Sequence, residues 1–237
     1  MSDRETPGPD VAPKRSELWL RVASALVLLA IVLPLIWIGH WPFWAMCLAL
    51  SLVLAYEWYR IVVGKGLGGA ALAGWLVLGV IYAAIPFLTL PVIRAVQSPS
   101  GLLLLAVLFF AVWASDIGAY FAGRHFGGPK LAPHISPNKT WSGAVGGLMS
   151  AVMITVLIGA VFSSFAFWLC VIGGAVLSIF SQAGDLFESW MKRRFGVKDS
   201  SNLIPGHGGF MDRVDGLVAA ALPMSVYVSL TAIGGVG

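Results

Sequence analysis

Long apolar runs broken by short polar punctuation set the architecture. A helix that crosses a bilayer needs roughly 20 mostly apolar residues. Seven stretches meet or approach that length, at about Leu18–Ile38, Phe43–Val63, Ala70–Pro91, Gly101–Phe121, Trp141–Val161, Phe165–Phe187 and Met211–Ile233. The pattern predicts an all-α, polytopic transmembrane helix bundle of about seven spans, within a range of seven to eight. Pro86 and Pro91 fall inside the third stretch. Proline is tolerated there because neighbouring helices re-satisfy the backbone groups it frees.

Between the first spans the connections are tight, as in Gly39-His40-Trp41-Pro42 and Gly64-Lys65-Gly66. Two later connections, Gly123–Thr140 and Gly196–Phe210, are longer, basic and rich in Gly, Pro and Ser. Loops of that kind are where function tends to concentrate. The chain divides into a polar tail over residues 1–17, N-terminal transmembrane helices over 18–100 and a C-terminal catalytic region over 101–237. The tail carries Pro7, Pro9 and Pro13 and reads as disordered.

Composition strengthens the membrane reading. Hydrophobic residues make up 58% of the chain and charged residues only 11%, against about 25% charged in ordinary globular chains. The mean hydropathy is +0.87. A soluble domain this apolar would have no adequate surface. Cys47 and Cys170 both fall in apolar spans and read as buried thiols, not a disulfide.

Charge then sets orientation. With the N-terminus in the cytoplasm and seven spans threaded, all of the 15 Lys and Arg except Arg94 fall on the cytoplasmic side. That is a strong positive-inside bias, and it predicts an outside C-terminus. The net charge of +4 calls for no nucleic-acid partner. Its clustering on one face suits anionic lipid headgroups or a phosphorylated substrate.

The candidate chemistry gathers at that same face. On a helical reading, Asp185, Glu188, Ser189 and Lys192 share one side of the sixth span, opposite Leu186, Phe187, Trp190 and Met191. An acid inside a span costs about 2.5–3.5 kcal/mol on insertion scales. An internal pair of Asp185 or Glu188 with Lys192 would offset that cost without any function. Next comes a Gly-rich turn with Gly206, His207, Gly208 and Gly209, able to form an anion-binding nest. Asp212 and Asp215 follow at i, i+3 at the start of the last span. The helix dipole alone favours acids there; a divalent cation would also relieve their repulsion, and Mg²⁺ takes carboxylate and phosphate oxygens. Asp116 ends the apolar run of the fourth span, and Lys139 and Thr140 stand where a phosphate could be held. Lys139 read alone could equally be a snorkelling interface cation. Gly143 and Gly147 read as close-packing positions between helices. Glu57, in Tyr56-Glu57-Trp58-Tyr59-Arg60, is positioned to pair with Arg60 on one helix face. Acids, bases and a Gly-rich turn at one depth suggest metal-assisted phosphoryl or nucleotidyl transfer.

The run Ser189-x-Met191-Lys192-Arg193-x4-Lys198-Asp199-x-Ser201-x2-Ile204-Pro205-x-His207-Gly208-Gly209-Phe210-x-Asp212-Arg213-Val214-Asp215 resembles the signature of the phosphatidate cytidylyltransferase family. Asp116…Ala119-Tyr120…Gly123-Arg124, Ser136-Pro137-x-Lys139-Thr140-Trp141 and Ser181-Gln182-x-Gly184-Asp185-Leu186-x-Glu188-Ser189 are similar to that family too. The close likeness covers about Trp113–Gly216. Ser142 departs from it, standing where many relatives carry an acid or amide, and the family usually has eight or so spans.

The resemblance implies an enzyme that joins CTP and phosphatidic acid into CDP-diacylglycerol and pyrophosphate. It implies catalytic roles for Asp185, Lys192, Arg193, Asp212 and Asp215. Asp185, Asp212 and Asp215 would hold Mg²⁺, alone or beside a second cation. Substrate contacts would come from Asp116, Lys139, Thr140, Ser189, Lys198, His207, Gly208, Gly209 and Arg213. It further implies a homodimer in the bacterial inner membrane with its site facing the cytoplasm. A CTP-dependent kinase acting on a polyprenol or similar lipid, and a relative acting on ether lipids, stay open at this level. A transporter fits less well, since transport sites gather near the bilayer midplane.

Overall fold

The computed structural model describes residues 14–97, 100–163, 165–204 and 208–234. The elements are α1 (Lys14–Ile38), α2 (His40–Val63), α3 (Gly69–Ala95), α4 (Gly101–Phe126), β1 (Lys130–Ala132), β2 (Ser136–Thr140), α5 (Trp141–Phe162), α6 (Phe167–Arg194) and α7 (Met211–Gly234). Among the described residues, six helices are long and apolar enough to cross a membrane, and α1 adds the shorter apolar segment Val22–Ile38. The chain is an all-α polytopic membrane bundle of about seven spans. Large apolar side chains such as Leu52, Val80, Phe121, Met153 and Leu230 stay exposed on its outside, where lipid satisfies them and every backbone bond is made within the helix.

Small residues bring the helices together, since lipid supplies no hydrophobic drive between spans. On α4 and α5, a Cβ added at Gly118 would meet Ser150 Oγ at 2.1 Å, and one at Gly146 would meet Ala122 Cβ at 2.2 Å. Gly143 and Gly147 lie against Ala119 and Ser115 in the same seam, as the sequence suggested. Ser115 and Ser178 share a hydrogen bond at 2.8 Å that ties α4 to α6. Cys47 and Cys170 are free and buried.

Two apolar cores fill the bundle. One joins Phe43, Leu90, Leu104, Leu108, Ala111 and Met224. The other joins Trp58, Tyr82, Met191, Phe195 and Met211, with the Trp58 indole N–H donating to the Trp75 carbonyl at 2.8 Å. At the far end of α3, Arg94 donates to the Ile36 carbonyl at 2.9 Å and to Trp37 at 3.1 Å. It thereby closes the last carbonyls of α1, which no intrahelical donor reaches.

Two features depart from the sequence expectation. The loop after α4 holds a small antiparallel hairpin, with Lys130 opposite Thr140 and Ala132 opposite Ser136. Also, α4 runs on past its apolar stretch to Phe126, while α6 continues to Arg194 as the helical reading of its polar stripe required. Of the expected N-terminal tail, residues 1–13 lie outside the described residues, and α1 begins at Lys14.

Candidate active site

The C-terminal ends of α2, α4 and α6 meet the N-terminal ends of α5 and α7 at one end of the bundle, together with the hairpin. The junction of α6 and α7 is close. A Cβ at Gly184 would lie 2.7 Å from the Asp215 carbonyl oxygen, and one at Gly216 would lie 2.5 Å from Ser181 Oγ. That crossing sets Asp185 beside Asp215.

The polar stripe on α6 forms as its spacing predicted. Ser189 Oγ donates to Asp185 Oδ1 at 3.4 Å. Glu188 is buried, with Oε1 at 3.3 Å from Lys192 Nζ in an ion pair that makes no hydrogen bond at that oxygen. Lys192 reaches further, to Asp212 Oδ1 at 2.5 Å. Burial on this scale is tolerated only when charges are paired. On β2, Lys139 Nζ stands 2.5 Å from Asp185 Oδ2, in a more open setting. Asp116, exposed on α4, belongs to the same group of interacting charges as Asp185, Asp215 and Lys139.

Asp212 is committed to its own loop. Beyond Lys192, its carboxylate accepts the Ser200 N–H at 3.0 Å, the Ser200 hydroxyl at 3.1 Å and the Gly209 N–H at 3.1 Å, all at Oδ2. Asp215 is less occupied; Oδ1 accepts the N–H of Gly216 at 2.8 Å. Among the described residues, no three His, Cys, Asp or Glu side chains converge on one ion-sized point. A cation at this site would draw on Asp185 and Asp215, which interact across the α6–α7 junction, with substrate oxygens completing its shell. Mg²⁺ is commonly bound that way, through one or two carboxylates, water and phosphates.

Other predicted residues take varied places. The Thr140 hydroxyl is buried and accepts the Gly143 N–H at 3.1 Å, capping α5. It also bonds Ser142 at 3.0 Å, and Ser142 donates to the Gly127 carbonyl. Thr140 thus holds the hairpin to α5. Arg193 is exposed and donates to the Ile135 and Val197 carbonyls at 3.4 and 3.3 Å, joining the hairpin to the end of α6. Lys198 lines an open cleft with Tyr56, Arg60 and Ser201. Arg213 is exposed, next to Asp212, on which Lys192 is seated. Gly208 has φ +84°, a conformation that suits glycine, and pairs with Ile204. A Cβ at Gly209 would fall 1.7 Å from Ser200 Oγ. His207, with Gly206, lies outside the described residues.

Sequence reasoning missed Glu57 and Ser200. Glu57 is fully buried on α2, and its oxygens are taken by Ser200, Ser201, Phe210 and Met211. Arg60 instead lies over the Tyr56 ring, 5.8 Å from its centroid. The available signal was a lone acid in an apolar span, which needs a partner.

The fold and this site define an integral membrane protein with a carboxylate and lysine cluster opening at one rim. The chain belongs to the cytidylyltransferase family, whose model matches residues 69–231. A phosphatidate cytidylyltransferase of Brucella suis biovar 1 (strain 1330) is 38% identical, over 92% of this chain and 95% of its own length. One from Rickettsia bellii (strain RML369-C) is 34% identical over 88% and 89%. One from Haemophilus influenzae (strain ATCC 51907 / DSM 11121 / KW20 / Rd) reaches 49%, over 51% of this chain and 43% of its own.

Proposed function

We propose that this protein is a CTP:phosphatidate cytidylyltransferase. A phosphate oxygen of phosphatidic acid attacks the α-phosphorus of CTP, the bond from that phosphorus to the β-phosphate oxygen breaks, and pyrophosphate leaves. CDP-diacylglycerol remains in the bilayer. The supporting observation is similarity along nearly the whole chain to proteins named phosphatidate cytidylyltransferase, with the carboxylate and lysine cluster inside the family match.

The side chains divide the work. Lys139 and Lys192 offset phosphate charge, each already poised against a carboxylate. Arg193 and Lys198, exposed at the rim, meet the outer phosphates of the nucleotide. Asp185 and Asp215 would hold Mg²⁺, which when bound would neutralise phosphate charge and favour in-line displacement. Asp212 keeps Lys192 and the loop in register. The attacking phosphate is already nucleophilic, so the site needs no strong general base. We place the enzyme in a bacterial inner membrane, as a homodimer with the site facing the cytoplasm.

The test uses purified protein in detergent with phosphatidic acid, Mg²⁺ and CTP labelled separately at the α- and γ-phosphates. The expected result is α-label in chloroform-extractable lipid and γ-label in pyrophosphate. Lipid carrying γ-label would replace this reading with a lipid kinase, and lipid carrying neither would remove the enzyme assignment.

A further inference from the structure

Glu57 lies on α2, outside the stretch that the family model matches, and is 0% exposed. A buried carboxylate is costly unless donors surround it. Its donors come from the far end of the chain. Oε1 accepts the Phe210 N–H at 2.8 Å and the Ser201 hydroxyl. Oε2 accepts the Met211 N–H at 2.6 Å and faces the Ser200 hydroxyl at 3.3 Å. Since α7 begins at Met211, these amides belong to the helix start, whose first N–H groups have no intrahelical acceptor. A carboxylate from another helix fills the place of a capping side chain.

The contacts continue into the site. Ser200 has one hydroxyl proton and stands between Glu57 Oε2 and Asp212 Oδ2, at 3.3 and 3.1 Å. Asp212 Oδ1 takes Lys192, whose other partner is Glu188. Glu57, Ser200, Asp212, Lys192 and Glu188 form an unbroken polar path from α2 to α6.

We propose that Glu57 is a positioning residue for nucleotidyl transfer. It seats the Ser200–Ser201 segment and the first turn of α7, and through Asp212 it fixes where Lys192 stands. This rests on the function proposed above. The geometry gives the substitutions distinct meanings. Glutamine has the right shape, but each carboxylate oxygen faces a backbone N–H that cannot turn away. Either orientation of Glu57→Gln therefore sets an amide NH₂ against one of them. Glu57→Asp falls one methylene short, and Glu57→Ala removes both acceptors.

The experiment compares full-length wild type with Glu57→Gln, Glu57→Ala, Ser200→Ala and the Glu57→Gln/Ser200→Ala double variant, with Thr155→Val as a control. Thr155 is a buried hydroxyl on α5, bonded to the Cys170 carbonyl away from the site. Turnover is measured per folded protein, alongside KM for phosphatidate and hydrogen exchange over residues 208–212. Glu57→Gln should lower kcat by about 10- to 100-fold, the range expected when reacting groups are slightly misplaced. Phosphatidate KM should stay within about twofold, and exchange at Phe210 and Met211 should rise. The double variant should be no slower than its worse parent, and Thr155→Val should lower thermal stability while keeping kcat. Wild-type kcat in Glu57→Gln, additive losses in the double variant, or losses that vanish per folded protein would overturn the proposal. An inactive wild type would overturn the proposed function instead, and unchanged exchange in Glu57→Gln would then still refute the anchor.

Discussion

Lys192 and Lys139 each pair with an aspartate at 2.5 Å, yet their surroundings give the two pairs different energies. Lys192 is buried between Glu188 and Asp212. Lys192→Met leaves both acids uncompensated, which costs about 3–5 kcal/mol for a buried pair broken on one side. It should lower the unfolding temperature in detergent and abolish detectable turnover. The Lys139–Asp185 pair has side chains 26% and 38% exposed, where such a pair contributes at most about 1 kcal/mol. Lys139→Ala should leave the unfolding temperature within a degree or two and, on the role proposed for Lys139 as a cation for substrate phosphate, still reduce kcat/KM about 100-fold. Thermal melts and label transfer on the same preparations separate the two cases. Single residues were also where the sequence misled. Arg60 is visible as a neighbour of Glu57 at i+3, whereas Ser200 and Met211 reach it only after the chain has folded back. The capping bond of Thr140 to Gly143 was hidden for a similar reason: it depends on β2 turning into α5 at that point.

The helices themselves were legible because bilayer thickness imposes length and apolarity together, and α2, α5 and α7 begin and end within a few residues of the apolar runs. The hairpin was not. Its strands of three and five residues, Lys130–Ala132 and Ser136–Thr140, are too short and too polar for an alternating pattern to register. The end of α4 was hidden because its last turn carries Arg124 and His125 beyond the apolar run, whereas the polar stripe on α6 already carried the helical reading to Lys192. Helix contact was readable only as small residues, and the α6–α7 crossing turns that into a prediction. A Cβ at Gly184 would sit 2.5 Å from Ala219 Cβ and 2.7 Å from the Asp215 carbonyl oxygen. Backbone must move to admit it, so Gly184→Ala should cost about 1–3 kcal/mol, as overpacking does. It should also cut turnover at least about tenfold by parting Asp185 from Asp215. Gly74 on α3 meets nothing within 4 Å, so Gly74→Ala should leave turnover unchanged and stability equal or slightly higher.

At the scale of the whole molecule, the distribution of cations and the placement of the site are one fact. Lys139, Lys192, Arg193 and Lys198 occupy the end of the bundle that carries the carboxylates, where anionic substrates must arrive. Arg94 is the cation that the threading leaves on the opposite side, and it has a structural reason to be there, closing the carbonyls of Ile36 and Trp37 at the end of α1. Its charge therefore does not argue against an orientation with the site in the cytoplasm. The positive-inside rule then predicts that Gln97, exposed just after α3, faces outward, and that Lys130, exposed on the hairpin, faces inward. Single cysteines test this in a Cys47→Ala/Cys170→Ala background, expressed in bacterial cells whose outer membrane has been opened. A membrane-impermeant maleimide should modify Gln97→Cys in intact spheroplasts, and Lys130→Cys only after lysis. The reverse pattern would put the site outside, away from any supply of nucleotide, and would refute the cytoplasmic assignment. Labelling of both in intact spheroplasts would place an even number of spans between two residues that α4 alone separates, and would contradict the fold.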